Sequence, residues 1–444
     1  MDVSDFPSAF RRSFPDLVGQ PVLVALSGGA DSVALLHLLR RAHPDLGCPV
    51  AAVHVNHHAR PEADDDEGFC RELCRELGVA LEVHHLLEPC PRGRSREAWW
   101  REQRYERLEA ARRSLGCAAT ATAHTRDDQA ETVLLKLLRG SGPRGVAGIR
   151  RRCGTLVRPL LELGRAQLRG WLREIGGSWR EDPGNADPAQ PRAWLRLVGL
   201  PALEARFAGS TRHLSAFARA LADDDEALSS LAAALPRLEI GQPVARQALA
   251  SVQPAVQRRW LLALAAELPL AEPPDRTQVE AFEALLAAGV PAAVDLGRRW
   301  VLRRRGERLV LCPPPLAPFP PLPASLPSRI DLAGYPCLAL GRAVATAERV
   351  VHTAWLAARL ASAEVRWRPL APGETVAWPH ARGRIGRLLG EAGVPAEWRR
   401  AWPVLEADGR MIWIPGVGTA PGWAGEPGQG IVATVEEPWK RHVR

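Results

Sequence analysis

Apolar and polar positions along residues 20–205 predict short buried strands separated by amphipathic helices. Continuous apolar runs bounded by turn residues occur in "PVLVAL", "PVAAVHV", "LEVHHL" and "AATATAH". Between them, apolar residues recur at helical spacing, as in "DSVALLHLLRRAH" and "DDDEGFCRELCRELG". Strands that alternate with helices predict a parallel sheet covered by helices on both faces. We therefore expect an α/β domain with a doubly wound sheet over residues 1–205.

The pattern changes after this region. Repeats rich in Ala and Leu predict a helical domain over residues 206–312, with a strand pair near its end in "AAVDLGRRWVLRRRGERLVLC". The next stretch, "CPPPLAPFPPLPASLP", predicts a stiff extended linker, assigned to residues 313–350, because proline fixes φ and removes a backbone donor. Short strand-like segments and Gly/Pro turns then predict a small α+β domain over residues 351–444.

Composition narrows the class of protein. The 444 residues carry a net charge of +8, and nearly all the basic residues are arginine, which binds phosphate through a planar fork. This charge permits a nucleic-acid partner without requiring one. No apolar run is long enough for a membrane span, the N-terminus lacks the apolar segment of a signal peptide, and the eight cysteines form no CxxC pair. We expect a cytoplasmic protein with reduced thiols and no membrane partner.

A glycine pair follows the first predicted strand, in "SGGADS" at residues 27–32. Gly28 and Gly29 allow backbone N–H groups to approach an anion, and the following helix adds the positive end of its dipole. The Walker pattern and the GxGxxG spacing are both absent. Asp31 would repel a phosphate unless a magnesium ion bridged the two groups. The stretch therefore predicts a magnesium–phosphate site or, alternatively, a tight glycine turn with Asp31 as the helix N-cap.

Further segments occur in a specific order along the chain: "AAVHVNHHAR" (51–60), "REQRYERL" (101–108), "ATAHTRDDQAETVLLKLLRGSGPRGVAGI" (121–149), "LVRPLLEL", "WREDPGN" and the C-terminal "EVRWRPLAPGETV". Together with the glycine loop, they resemble the tRNA(Ile)-lysidine synthases, a family of N-type (PP-loop) ATP pyrophosphatases. The resemblance implies that ATP adenylates the wobble cytidine of a tRNA(Ile) with a CAU anticodon. The side-chain amine of L-lysine then attacks carbon 2, giving lysidine, AMP and pyrophosphate.

The resemblance also assigns residues to the two small substrates. The ATP-binding residues are Ser27, Gly28, Gly29, Ala30, Asp31, Ser32, His54 and His124, with Asp31 also the metal ligand and a catalytic group. Asp128 and Glu131 are assigned to lysine binding and catalysis, because carboxylates pair with an ammonium group and help to remove its proton. The alternative is that Asp127 or Asp128 merely caps the helix, with Glu131 completing a capping box.

The predicted tRNA contacts are arginines: Arg101, Arg104, Arg192, Arg196, Arg368, Arg399 and Arg400. The alternative for the first two is a solvated helix face. Ala193 replaces the asparagine of the family's Arg-Asn-x-x-Arg motif, so any role of that asparagine is in doubt here. In the C-terminal region, tryptophans interleave with the arginines, and we expect at least half of them to be core residues. His58 stands where many relatives carry glycine, so we expect a different backbone there.

Two other functions fit part of the sequence. A related PP-loop tRNA thiolase is disfavoured because Cys70 and Cys74 lie at helical spacing and no CxxC pair is present. A catalytically inactive RNA-binding homologue is disfavoured because Asp31, Asp128 and Glu131 are all retained. The sequence leaves open whether the chain forms a homodimer.

Overall fold

The computed structural model describes residues 2–58, 62–91, 93, 95–181, 190–240, 242–270, 272–287, 292–315, 319–330, 338–341, 350–426 and 431–436. The chain divides into two compact units, Met1–Glu226 and Ala227–Arg444. The finer division into four domains remains a prediction.

The first unit alternates strands and helices as the apolar pattern predicts. Its strands are β1 (Val22–Ala25), β2 (Val50–Asn56), β3 (Ala80–His85), β4 (Ala119–Ala121), β5 (Arg152–Cys153) and β6 (Leu156–Val157). Its helical segments are α1 (Phe6–Ser13), α2 (Ala30–Arg41), α3 (His43–Leu46), α4 (Ala63–Leu77), α5 (Arg96–Ser114), α6 (Arg126–Leu138), α7 (Pro143–Val146), α8 (Arg165–Glu174), α9 (Pro191–Trp194), a π-helical turn (Leu195–Gly199) and α10 (Leu200–Arg206). The next helix, α11 (Ser210–Ala233), begins in this unit and ends in the second.

One sheet with the strand order β3-β2-β1-β4-β6-β5 forms the centre of this unit. β1 pairs in parallel with β2 and with β4, and only the pairing of β5 with β6 is antiparallel among the described strands of this sheet. The carboxyl ends of β1, β2 and β4 therefore meet at one edge. Ligands of open parallel sheets bind at such an edge.

Both faces of the sheet are covered, which confirms the predicted doubly wound arrangement. Val24 of β1 packs into a core that includes Leu35 of α2 and Leu168 of α8. The next residue towards the N-terminus, Leu23, points to the opposite face and packs with Leu108 of α5. Alternate residues of one strand thus bury opposite faces, as the two-residue period of a strand requires.

The second unit contains the predicted helices and strands, and the strands form antiparallel sheets. Its helices are α12 (Arg246–Ala250), α13 (Pro254–Glu267), α14 (Arg276–Leu286) and α15 (Ile385–Glu391). Its strands are β7 (Val244–Ala245), β8 (Ala293–Gly297), β9 (Trp300–Arg305), β10 (Arg308–Cys312), β11 (Leu322–Pro323), β12 (Ser328–Ile330), β13 (Leu338–Gly341), β14 (Val350–Leu356), β15 (Val365–Pro369), β16 (Thr375–Trp378), β17 (Ala381–Arg384), β18 (Pro403–Ala407), β19 (Arg410–Ile414), β20 (Gly418–Thr419) and β21 (Ile431–Glu436).

Two details of this unit differ from the apolar pattern. The segment expected to form a strand pair forms three strands, β8 to β10, because tight turns interrupt it at two places. The described part of the predicted linker, residues 313–350, contributes β11, β12 and β13, which pair with strands of the C-terminal sheets. Among the described helices, none is both long and apolar enough to cross a bilayer.

Candidate active site

The glycine loop between β1 and α2 forms the floor of a cleft at the carboxyl edge of the sheet. Gly28 has φ of +84°, a left-handed conformation that disfavours a side chain, and Gly29 precedes the first residue of α2. The hydroxyls of Ser27 and Ser32 lie 3.1 Å apart, and Ser32 Oγ donates to the Gly29 carbonyl at 2.9 Å. The loop is therefore held open in a shape that presents the N-terminus of α2 to the cleft.

Asp31 lies in the first turn of α2 and is not its N-cap, since Gly29 takes that position. The turn-and-cap alternative is thus wrong for this residue. Burial raises the pKa of Asp31 to about 6, and the nearby Arg165 guanidinium only partly offsets this effect. Asp31 Oδ2 lies 3.4 Å from Arg165 Nε, while the buried Oδ1 accepts no hydrogen bond from any described residue.

The N-terminus of α6 brings two more carboxylates into the cleft. Thr125 is the N-cap, and its backbone N–H and hydroxyl donate to Asp128 Oδ2 at 2.9 and 2.8 Å. Asp127 instead accepts the Arg165 backbone N–H at 2.9 Å, at the start of α8. The N-cap of α6 is therefore Thr125, and neither Asp127 nor Asp128 takes that position. The capping box is completed by Asp128 and not by Glu131, so the capping alternative is wrong.

Asp128 and Glu131 share one helix face, as their spacing predicts, and both are covered by arginines. Asp128 Oδ1 lies 2.5 Å from Arg165 Nη2, and Glu131 Oε1 lies 2.7 Å from Arg165 Nη1. Arg192 Nε and Arg196 Nε lie 3.0 and 2.8 Å from Glu131. The side chain of Glu131 is completely buried beneath these guanidinium groups.

This cluster keeps its carboxylates ionised. Burial alone would raise the pKa of Glu131, but the hydrogen bond from Arg196 and the charge of Arg165 bring it below its ordinary value. For Asp128, burial is likewise outweighed by the charge of Arg165 and the hydrogen bonds from Thr125, so its pKa is lowered. Two negative charges therefore persist at the cleft at neutral pH.

The cleft has a volume of about 1220 Å³ and brings most of the predicted small-substrate residues together. His54, buried in the second half of β2, contacts the Leu26 carbonyl through Nδ1 at 2.9 Å. Burial lowers the pKa of His124 to about 4, so that ring is neutral at pH 7. Gly28, although part of the loop, does not line the cleft itself.

The two predicted arginines of α5 lie in different surroundings. Arg104 lines the cleft, beside Trp100. Arg101 lies over the Tyr105 ring at 5.2 Å and does not line the cleft.

Near the end of β2, His58 has φ of +47°, and its backbone N–H donates to Asn56 Oδ1 at 2.9 Å. His58 therefore adopts the left-handed conformation that glycine favours, and the difference from the relatives' backbone stays a prediction.

The predicted tRNA-contacting arginines of the second unit, and the tryptophans between them, differ in burial and in their partners. Trp367, Trp398 and Trp402 are all buried, which confirms that these tryptophans are core residues. Arg368 pairs with Glu374 at 2.8 Å and with Glu406 at 2.7 Å. Arg399 is half-buried and donates to the Val394 carbonyl at 2.8 Å, whereas Arg400 is exposed.

Comparison with known proteins places this geometry in a family. A family model described as the PP-loop domain matches residues 4–203, and a model of the TilS substrate C-terminal domain matches residues 364–435. A tRNA(Ile)-lysidine synthase of Thermus thermophilus is 36% identical over 426 residues, covering 94% of this chain and 72% of that protein. The chain belongs to the tRNA(Ile)-lysidine synthase family. A second member, from Alkalilimnicola ehrlichii, is 34% identical and covers 94% of both chains.

Among solved structures, the U34-tRNA thiolase NcsA from Methanococcus maripaludis matches with a TM-score of 0.42 and 17% identity, over 49% of this chain and 78% of that chain. This likeness is too distant to support an inference about the reaction. The cysteine arrangement that would favour a thiolase is also lacking, because Cys70 and Cys74 are packed in the core of the first unit.

In this member of the lysidine synthase family, the cleft residues that sequence reasoning missed include Arg165 and Arg180. Arg165 contacts Asp31, Asp128 and Glu131, yet it lies more than thirty positions from the nearest of them, and its signal is only an arginine at a helix start. Arg180 lines the cleft and pairs through its backbone with the glycine loop. It falls inside the quoted "WREDPGN" segment, whose remaining residues 182–185 lie outside the described residues.

Proposed function

We propose that the protein is a tRNA(Ile)-lysidine synthase. The observation that carries the proposal is that one cleft holds the glycine loop, Asp31 and the carboxylate pair Asp128 and Glu131. In the proposed reaction, the carbon 2 oxygen of the wobble cytidine attacks the α-phosphorus of ATP and pyrophosphate leaves. The side-chain nitrogen of L-lysine then attacks carbon 2, AMP leaves with the oxygen, and the nitrogen gives up its protons.

Magnesium is part of this proposal because Asp31 fits it. A buried carboxylate oxygen without a hydrogen-bond partner among the described residues suits a hard divalent cation, and Asp31 Oδ1 is such an atom. A magnesium ion bound there would neutralise phosphate charge. Asp31 would hold the ion, and the N–H groups at the start of α2 would hold phosphate oxygens.

Asp128 and Glu131 are proposed to bind the lysine ammonium. A free lysine amine has a pKa near ~10.4, so a proton must leave before the nitrogen can attack. Two ionised carboxylates at the cleft wall can pair with the ammonium and accept that proton. Because guanidinium groups now contact both carboxylates, an incoming ammonium has to displace one of them. Three arginines contact these carboxylates: Arg165, Arg192 and Arg196. Arg192 is the most exposed of them, with 45% of its side chain accessible to solvent.

Replacing Glu131 with glutamine should raise the KM for lysine by at least about tenfold, since a buried charge-assisted contact is lost. Adenylation does not use the amine, so tRNA-dependent pyrophosphate release in the absence of lysine should stay within about threefold of wild type. Steady-state kinetics with lysine and single-turnover pyrophosphate release measure the two quantities. Glu162→Gln, which removes a carboxylate paired with Arg151 outside the cleft, is the matched control. An unchanged KM for lysine would contradict the assignment.

The tRNA is proposed to reach the cleft in the cytoplasm and to contact arginines of both units. Arg104, Arg192 and Arg196 lie at or beside the cleft. In the second unit, the guanidinium of Arg368 is already paired with Glu374 and Glu406. Exposed Arg400 and half-buried Arg399 are therefore better candidates for a tRNA contact than Arg368. The roles of Arg101 and of the homodimer stay predictions.

The decisive experiment supplies purified protein with ATP, magnesium, labelled L-lysine and unmodified tRNA(Ile) carrying a CAU anticodon. Methionine tRNA with the same anticodon is the control. Label in the isoleucine tRNA alone is the expected result. Pyrophosphate release without lysine incorporation would favour another PP-loop modification, and tRNA binding without ATP cleavage would favour the inactive RNA-binding homologue.

A further inference from the structure

The glycine loop lacks the lysine that many phosphate-binding loops carry, so any side-chain cation that faces the phosphates comes from elsewhere in the chain. Among the described residues, five arginines line the cleft: Arg104, Arg165, Arg169, Arg180 and Arg196. Arg165 and Arg196 contact the lysine-site carboxylates, and Arg169 pairs with Glu181 at 3.1 Å. Arg104 projects from α5, which packs against β2 and β4.

Arg180 differs from the others because its backbone is joined to the loop. Its N–H donates to the Gly28 carbonyl at 2.9 Å, and Gly29 and Arg180 form a parallel bridge. Its stem runs past Gly28, since Arg180 Cγ lies 3.8 Å from the position that a Cβ on Gly28 would take. The Arg180 backbone is therefore tied to the loop, and the first part of its side chain lies next to Gly28.

The Arg180 guanidinium also has an orienting partner. Its Nε lies 3.3 Å from Asp66 Oδ1 of α4, and the Asp66 side chain is only 10% exposed. The Arg180 side chain itself is 44% exposed and lines the cleft. A guanidinium fixed on one edge by a carboxylate keeps further N–H donors for phosphate oxygens, because the group carries five donors in a rigid fork.

We propose that Arg180 binds the β- and γ-phosphates of ATP, and then the pyrophosphate leaving group, in place of the missing loop lysine. This inference rests on the proposed function, since it names the residue that holds the leaving group of that reaction. Asp66 acts as a positioning residue that orients the guanidinium. Arg180 stabilises the charge that accumulates on the pyrophosphate as the bond to the α-phosphorus breaks.

The test compares ligands with and without the two outer phosphates. Isothermal titration gives the dissociation constants of ATP and AMP, and inhibition by inorganic pyrophosphate is measured alongside, for wild type, Arg180→Met, Arg180→Lys and Arg173→Met. Arg173 is the matched control, because it is a nearby exposed arginine that stacks on Trp179 and does not line the cleft. Thermal unfolding of each variant confirms that it is folded.

Arg180→Met should weaken ATP and pyrophosphate binding by about tenfold to a hundredfold, while AMP binding changes by less than about threefold. The affinities of Arg180→Lys for ATP and pyrophosphate should lie between those of Arg180→Met and wild type, because lysine keeps the charge but lacks the planar fork of donors. Equal losses of affinity for ATP and AMP would mean that Arg180 only shapes the loop. Unchanged affinity for ATP would mean that Arg180 does not bind the phosphates. Either result overturns the inference while the proposed function stands. Failure of the wild type to bind ATP or pyrophosphate would overturn both.

Discussion

Replacing Asp31 with asparagine should lower magnesium-dependent pyrophosphate release by about a thousandfold and leave the affinity for tRNA within about twofold of wild type. The substitution keeps the size of the side chain and removes only the charge that would hold the cation. The Asp31 carboxylate lies in the first turn of α2, where its Oδ2 pairs with Arg165 at 3.4 Å. Arg165 keeps its contacts with Asp128 and Glu131, so asparagine at position 31 leaves no buried charge unpaired. Single-turnover pyrophosphate release and a filter-binding titration with tRNA measure the two effects.

Asp127→Asn is the matched control for this experiment. Asp127 also lines the cleft, but its Oδ2 accepts the Arg165 backbone N–H at 2.9 Å, a role that an asparagine oxygen can fill. Pyrophosphate release by this variant should remain within about threefold of wild type. Equal loss in both variants would point to the general charge of the cleft, and unchanged release by Asp31→Asn would remove the metal role.

The sequence predicts those parts of the site that depend on local periodicity. The strands β1, β2 and β4 follow from their apolar runs, and parallel pairing then brings the ends of these strands to one edge. The shared face of Asp128 and Glu131 follows from a spacing of three residues on a helix. These predictions hold because helix and strand periods are fixed by backbone geometry, whatever the rest of the chain does.

Contacts between distant segments could not be predicted in this way. Arg165 reaches the cleft from the start of α8, and no local pattern distinguishes it from the many solvated arginines of this chain. Arg180 lies in the quoted "WREDPGN" segment, but that segment by itself gives no sign that its backbone pairs with the glycine loop. The tryptophans of the second unit illustrate the reverse case. Their interleaving with arginines suggests a stacking surface, but Trp367 lies on the core side of β15 while Arg366 and Arg368 point the other way, towards Glu406.

The cluster around Arg165 gives the largest expected change in stability. Replacing Arg165 with methionine should lower the free energy of opening of α6 by about 3 kcal/mol, because buried carboxylates lose a partner that contacts both Asp128 and Glu131. Hydrogen exchange of the α6 backbone amides measures this free energy locally, without assuming that the two units unfold together. Arg152→Met is the control, since Arg152 pairs with Asp16 at 2.8 Å on the surface, where such a pair contributes less than about 1 kcal/mol.

The origin of that destabilisation can be tested by removing the stranded charge as well. The lower stability of Arg165→Met is expected to come from the buried Glu131 carboxylate, which has lost one of its positively charged partners. In that case, the double variant Arg165→Met, Glu131→Gln should be more stable than Arg165→Met alone. Arg192 and Arg196 tolerate the loss of Glu131 because 45% and 28% of their side chains are already accessible to water. A double variant that is less stable than Arg165→Met would instead assign the effect to lost packing of the arginine stem between α6 and α8.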